Sequence, residues 1–359
     1  MKVKPERAVV GKIPDSCAIA AIGCLKGGPI SGSMIKLMLE AMKPRYNGLG
    51  AGFAGYGIYP DRRECYALHL MFENMDSRKI FEKEVLSRFR VWAEEEIPTR
   101  SILNDSPTLW RYFIKPIGDG FEERLSRFVM WINWKLDGAY ILSSGRNMGV
   151  FKGLGDPSKI ADFYRIEDYE ACLWLGHGRY PTNSPGWWGG AHPFNLLDYS
   201  VVHNGEISSY GIAKRYLESK GYRFIFLTDS ELFSYAFDFL LRVEGLSIDE
   251  ACRVLSPPFW MTLNGDGGES KLWRNLRIRY QELNVNGPFS IAVALRFNGR
   301  LYLIGLTDRL KLRPLTVASN DKLFMISSEE CGIRAIEPNP KMISRPRADE
   351  PIYMRIDER

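Results

Sequence analysis

Gly176-His177-Gly178-Arg179-Tyr180-Pro181-Thr182-Asn183, with its continuation Val202-His203-Asn204-Gly205-Glu206-Ile207, is the stretch on which the reading of this chain turns. The residues before it, Tyr169 to Leu175, are apolar and β-prone, which predicts a strand with Arg179 at its end. A second β-prone run, Tyr199 to Val202, delivers His203, Asn204 and Gly205 to a strand end of their own. An anion-binding arginine and an Asn-Gly turn at two strand ends suit a pocket for a small polar molecule. Taken singly, each has a plainer reading, a surface salt-bridge arginine and an ordinary Asn-Gly turn. The rest of the chain decides.

At 359 residues, 45% hydrophobic and 25% charged, the chain has the composition of a soluble globular protein with room for a sizeable core. Its net charge of +5 is a weak bias, and no block of lysines and arginines stands out, so nucleic acid is not an expected partner. No apolar run approaches the roughly 18 residues of a membrane span. The opening Met1 to Arg7 is basic with no apolar core after it, unlike a secretory signal. Cysteines 17, 24, 65, 172, 252 and 331 show no CxxC pairing, which argues against a structural zinc site and against a disulfide scaffold. A cytoplasmic location is the expectation.

Taken in order, residues 1–16 are polar, and Gly11 and Pro14 break any element. Cys17 to Gly23 is small, apolar and uninterrupted, as a buried central strand is. Its first residue, Cys17, is either core or a nucleophile presented at a strand edge. Met34 to Met42 has a helical apolar face behind Ser31 or Ser33 as N-cap, and Gly48 to Gly57 reads as a turn entering a strand. Between 61 and 137 the pattern changes: a strand at 65–72, a long helix at 77–96, irregular chain at 101–118 and a second helix at 121–136. This is an insertion within a domain, since no linker flanks it. Residues 138–144 and 148–152 read as a hairpin. Beyond the central stretch come a helix at 208–221, a strand at 224–227 and a helix starting at Thr228-Asp229-Ser230-Glu231, where Thr228 and Glu231 have capping-box spacing. Strands at 288–296, 301–306 and 323–327 precede a helix at 329–335. Packed sheets flanked by helices are expected.

Cys17-Ala18-Ile19, the Gly176–Asn183 motif, His203-Asn204-Gly205-Glu206, Thr228-Asp229-Ser230-Glu231, Asn286-Gly287-Pro288-Phe289-Ser290, Asp308 to Leu315 and Ser327-Ser328-Glu329-Glu330 occur in the order found in class II glutamine amidotransferases, which the chain resembles over about 17–340. The resemblance implies an α+β fold, the four-layer αββα sandwich of N-terminal-nucleophile hydrolases. It divides the chain into a leader at 1–16, an amidotransferase domain at 17–345 with the insertion at 61–137, and a C-terminal tail at 346–359. Within the family, Ala191-His192-Pro193-Phe194 and Asn183 to Trp188 make the glutaminase part of glutamate synthase the nearest likeness. The likeness implies no cofactor in this chain. FMN and iron–sulfur, if used, belong to partner subunits.

The implied reaction is hydrolysis of glutamine to glutamate and ammonia through a Cys17 thioester, with ammonia passed to a separate synthase-type subunit. Cys17 is then the nucleophile and its own α-amine the base, so no catalytic histidine is needed. The Asn204 side chain and the Gly205 N–H form the oxyanion hole, Arg179 holds the substrate α-carboxylate and Asp229 its α-ammonium, with Thr182 and Asn183 orienting the ligand. His177 and His203 support the pocket walls, and the other five cysteines are core or surface thiols. No metal is implied. Two positions depart from the family pattern: Ala18 stands where glycine usually follows the nucleophile, and Gly178 where threonine often precedes the arginine. With residues 1–16 attached, Cys17 has no basic amine, so activity requires cleavage between Ser16 and Cys17. The alternative is an unprocessed, non-catalytic relative that binds glutamine or acts as a scaffold.

Overall fold

The computed structural model describes residues 16–180, 185–263, 265, 267–348 and 350–358; the expectations for residues 1–15, Thr182 and Asn183 lie outside them. The small, branched run after Cys17 becomes the strand Ala18–Cys24, buried along nearly its whole length. It is central in a seven-stranded antiparallel sheet ordered Met342–Ser344, Thr316–Ser319, Leu323–Ser327, Ala18–Cys24, Leu173–Gly178, Ala51–Tyr56 and Met148–Gly153. In its register Ala18 faces Gly178 and Ile19 faces His177. Continued by one residue, that register sets Cys17 opposite Arg179.

A second antiparallel sheet runs Phe194–Leu196, Tyr199–Gly205, Phe289–Phe297, Arg300–Thr307 and Ile352–Ile356. The two sheets pack through Ile19 and Ala21 on one side and Val202, Ala292 and Ala294 on the other, all fully buried. Helices Gly32–Glu40 and Pro157–Phe163 cover the outer face of the larger sheet. Helix Glu231–Phe237 covers the outer face of the smaller one, with Ile248–Leu255 packed in the same core. The order of layers is αββα, as the resemblance implied. Each buried Leu or Ile in these layers contributes roughly 1.5–3 kcal/mol. The first helix is capped by the Ser31 hydroxyl, which accepts from the Ser33 N–H at 3.2 Å, and it buries Ile35, Met38 and Leu39. It lies close on the sheet because position 176 is glycine: a Cβ there would stand 2.8 Å from the Ile35 side chain.

A third sheet of four strands, Val91–Glu96, Thr108–Ile114, Tyr66–Phe72 and Ala139–Ser143, is built from the 61–137 region and the strand just after it, with helices Met75–Arg88 and Phe121–Lys135. Three expectations are corrected here. The helix stops at Arg88, and residues 91–96 form a strand that pairs with Thr108–Ile114, with Glu95 held by Arg62 at 2.7 Å and Arg111 at 2.9 Å. Residues 101–118, expected to be irregular, contain the central strand Thr108–Ile114. Residues 138–152 form no hairpin: Ala139–Ser143 joins the four-stranded sheet and Met148–Gly153 the seven-stranded one. The stretch between is pinned by Arg146 N–H donating to Asp198 Oδ1 at 2.6 Å.

Residues 224–227 are not a strand either. Glu231, expected in a capping box with Thr228, accepts instead from the Ile225 and Phe226 N–H groups at 3.1 and 3.2 Å, and holds them as a loop. Thr228 Oγ1 accepts from the Ser230 N–H at 3.3 Å. The expected tail at 346–359 holds the edge strand Ile352–Ile356, which pairs with Arg300–Thr307. No helix among the described residues is long and apolar enough to cross a membrane.

Candidate active site

The ends of the two central strands open on one cavity of about 450 Å³, lined among others by Cys17, Arg179, Tyr180, His192, Gly205 and Asp229. Cys17 is partly exposed there, directly before the strand Ala18–Cys24. Its Sγ accepts from the Tyr180 N–H at 3.3 Å. Burial pushes its thiol above the ordinary range, opposed by that N–H and by the charges of Arg179, Arg45 and Arg313. A raised thiol is protonated at neutral pH and needs a base before it can attack.

Arg179 is buried, 2% exposed, which sets aside a surface salt bridge. Its backbone N–H donates to the Gly50 carbonyl at 2.8 Å, and Nη1 donates to the Pro185 carbonyl at 2.9 Å. Burial draws its pKa down, while the nearby Cys17 and Asp229 raise it. Asp229 is fixed by two donors: the Ile207 N–H at 2.8 Å and the Ser230 hydroxyl at 3.3 Å. A cation and an anion therefore face the same cavity from different layers, with the thiol beside the cation.

Gly205 also lines the cavity, at φ +129°, where a Cβ would lie 1.9 Å from the Pro288 carbonyl oxygen. Asn204 is fully buried behind it. Neither its Nδ2 nor its Oδ1 has a hydrogen-bond partner among the described residues. Such a group normally costs about 1–3 kcal/mol when left unpaired. Ser290, its neighbour across the sheet, has an unpartnered buried hydroxyl as well.

His192 and His203 line the cavity, and His177 packs against both. His177 and His192 stack with ring centroids 3.9 Å apart. His177 Nε2 pairs with the His203 carbonyl at 2.9 Å, which ties the two sheets together and makes that nitrogen the donor. His203 Nδ1 meets the Ser230 hydroxyl at 2.8 Å. Burial pulls all three below their ordinary pKa, His177 to about 3, so they are neutral at pH 7. Neutral buried rings shape the cavity and contribute no fixed charge.

The structure thus brings Cys17, Arg179, Gly205 and Asp229 to one cavity and sets Asn204 immediately behind it. Residues missed from the sequence include His192, the Tyr180 N–H and Arg45. The first lies in the Ala191-His192-Pro193-Phe194 element, whose sequence marks a family likeness but not a place at the cavity. A backbone donor leaves no mark in side-chain identity, and Arg45 sits in a stretch without periodicity. No cluster of metal-ligating side chains occurs among the described residues.

Comparison with known proteins gives consistent results. The family model for class II glutamine amidotransferases matches residues 121–354. A protein of Archaeoglobus fulgidus described as uncharacterized is 43% identical over 356 residues, covering 96% of this chain and 93% of that one. A protein of Methanothermobacter thermautotrophicus, described provisionally as a glutamine amidotransferase, is 27% identical over 328 residues, covering 89% and 93%. Among solved structures, an allosteric regulatory enzyme of purine biosynthesis superposes with a TM-score of 0.50 at 13% identity. That match covers 96% of this chain and 49% of the solved chain, so the present chain spans about half of its length. At that identity the likeness concerns the fold alone.

Proposed function

The chain belongs to the class II glutamine amidotransferases, and on that premise we propose that it hydrolyses glutamine to glutamate and ammonia, with ammonia passed to a separate synthase-type subunit, glutamate synthase being the assembly its motifs most resemble. One observation carries the reading: Cys17 and Arg179 lie one residue beyond the paired Ala18 and Gly178, and both line a cavity that Asp229 also lines. A free amino acid has an anionic and a cationic end, and the two charged side chains match them. Arg179 takes the α-carboxylate and Asp229 the α-ammonium, which aims the side-chain amide at the thiol.

Removal of residues 1–16 gives Cys17 an α-amine with a reference pKa of about 7.7–8.0, suited to take the thiol proton near neutrality. The sulfur adds to the amide carbon, and the oxygen that becomes negative is met by the Asn204 carboxamide and the Gly205 N–H. The proton held by the amine passes to the leaving nitrogen and ammonia departs. Water then adds to the thioester, releasing glutamate and the thiol. The unpaired Asn204 carboxamide supports this role, since a ligand oxygen would satisfy it.

The non-catalytic alternative is favoured by the raised Cys17 thiol, which has no amine beside it while Ser16 is attached. Intact-mass analysis of protein co-expressed with its candidate partner, followed by an ammonia-release assay, separates the two. Loss of residues 1–16 together with glutamine-dependent ammonia release, absent from Cys17→Ala, is the expected result. A chain that stays full length and releases no ammonia would retire the enzyme reading in favour of the scaffold.

A further inference from the structure

Arg45 ends the short turn Lys43–Arg45 after the first helix, and it is 9% exposed. Its guanidinium spans the Ser16–Cys17 peptide bond. Nη2 donates to the Ser16 hydroxyl on one side of that bond, and Nε donates to the Cys17 carbonyl at 3.2 Å on the other. Nη1 is taken by the carboxylate of Glu329. Ser16 is itself buried.

Glu329 is in turn tied to the start of the nucleophile strand. Its neighbour Ser328 accepts from the Ile19 N–H through Oγ at 2.9 Å, and the Ser328 N–H donates to the Ile19 carbonyl at 2.9 Å. The sulfur is held separately by the Tyr180 N–H. The sulfur and the two groups flanking the Ser16–Cys17 peptide are therefore held by different elements. One contact stands out: the Ser16 hydroxyl would be absent from a processed chain. A donor of a buried arginine is thus committed to a residue that the mature enzyme lacks.

We propose that Arg45, anchored by Glu329, is a positioning residue for removal of the leader, holding the Ser16–Cys17 peptide in line with the Cys17 sulfur. This rests on the reading of Cys17 as the nucleophile. In the step it serves, Sγ bonds to the Ser16 carbonyl carbon while the thiol proton passes to the Cys17 nitrogen. The carbon–nitrogen bond breaks, leaving the Cys17 α-amine and a Ser16 thioester. Water adds to the thioester carbon and the carbon–sulfur bond breaks, giving a Ser16 carboxylate and a free thiol. Water is the only co-reactant.

The experiment follows intact mass against time in full-length wild type, Arg45→Lys, Arg45→Ala and Ser16→Ala, with thermal unfolding of each as a check on folding. Misplacing a reacting group by about 1 Å can cost 10²-fold, so Arg45→Ala is expected to slow leader loss by roughly 10–100-fold. Arg45→Lys should recover part of that rate, and Ser16→Ala should slow it severalfold without lowering the melting temperature. Ser16→Ala removes only the contact on the leader side, so it decides the matter where Arg45→Ala does not fold. Wild-type rates of leader loss in Ser16→Ala and Arg45→Lys would overturn the clamp while leaving the enzyme reading intact. A wild-type chain that never loses its leader would overturn the clamp together with the processing step. A chain produced with Cys17 already at its N-terminus then tests the enzyme reading alone, by ammonia release from glutamine.

Discussion

At the scale of single residues, the side chains that the structure gathers at the cavity were legible and the groups that hold them were not. Cys17, Arg179 and Asp229 are recognisable because a thiol, a fork of N–H donors and a carboxylate each have few substitutes. The Tyr180 N–H on the sulfur and the Arg45 guanidinium across the Ser16–Cys17 bond depend on strand register and a turn, which no local pattern specifies. Asn204 allows a sharp prediction. Its carboxamide makes no hydrogen bond to the described residues, so the fold gains nothing from it. Asn204→Ala is therefore expected to leave the melting temperature unchanged or raised, while kcat for glutamine falls by roughly 10²–10³ and KM stays within a few-fold. Steady-state ammonia release beside thermal unfolding checks both halves, and an active variant would remove Asn204 from the oxyanion site. Arg179→Lys loses the fork that suits a carboxylate and should act in the opposite sense, raising KM with a smaller effect on kcat.

At the scale of elements, the long buried strand at 18–24 was legible, because an uninterrupted apolar run of that kind has few other homes. Strands made by tertiary contacts were not. Val91-Trp92-Ala93-Glu94-Glu95-Glu96 has the composition of an exposed helix, and it is a strand through its pairing with Thr108–Ile114, where Arg62 and Arg111 also reach Glu95. Glu231 has the spacing of a capping residue, yet its carboxylate serves the loop at Ile225 and Phe226. The strand Tyr199–Gly205 ends where it must, since the Pro288 carbonyl crosses at the place a side chain at 205 would occupy. Gly205→Ala requires the two strands to part at the cavity mouth and a side chain to adopt a left-handed φ. The expected loss is about 3 kcal/mol of stability, with glutaminase activity falling beyond what unfolding explains. Chemical denaturation with an activity assay below the transition provides the check. An alanine variant of wild-type stability would show that the strand end can yield.

At the scale of the whole molecule, the order of motifs along the chain indicated the layered fold, but it could not show which charges the layers enclose. Lys152 and Glu231 are both fully buried behind the Arg179 side of the cavity. Lys152 Nζ donates to the Gly189 and Pro193 carbonyls at 2.9 and 3.3 Å and lies over the Phe194 ring. Burial lowers it from 10.5 to about 7, with Glu231 pulling it back up and Arg179 pushing it further down. Burial raises Glu231 from 4.5 to about 7, against its bonds from Tyr235 and the Phe226 and Ile225 amides. Between pH 4.5 and about 7 the folded chain keeps a proton on Glu231 that the unfolded chain has released, so this group's contribution to stability falls as pH rises. Between about 7 and 10.5 the unfolded chain holds a proton on Lys152 that the folded chain has lost, so that contribution rises with pH. Together they place a dip near neutrality. Denaturant midpoints of wild type, Glu231→Gln and Lys152→Met, taken across pH 5–10 at constant ionic strength, isolate the two limbs as differences from wild type. Glu231→Gln should lose the acid-side decline and Lys152→Met the alkaline-side rise. Difference profiles flat across both windows would mean that folding shifts the titration of neither group and would overturn the dip.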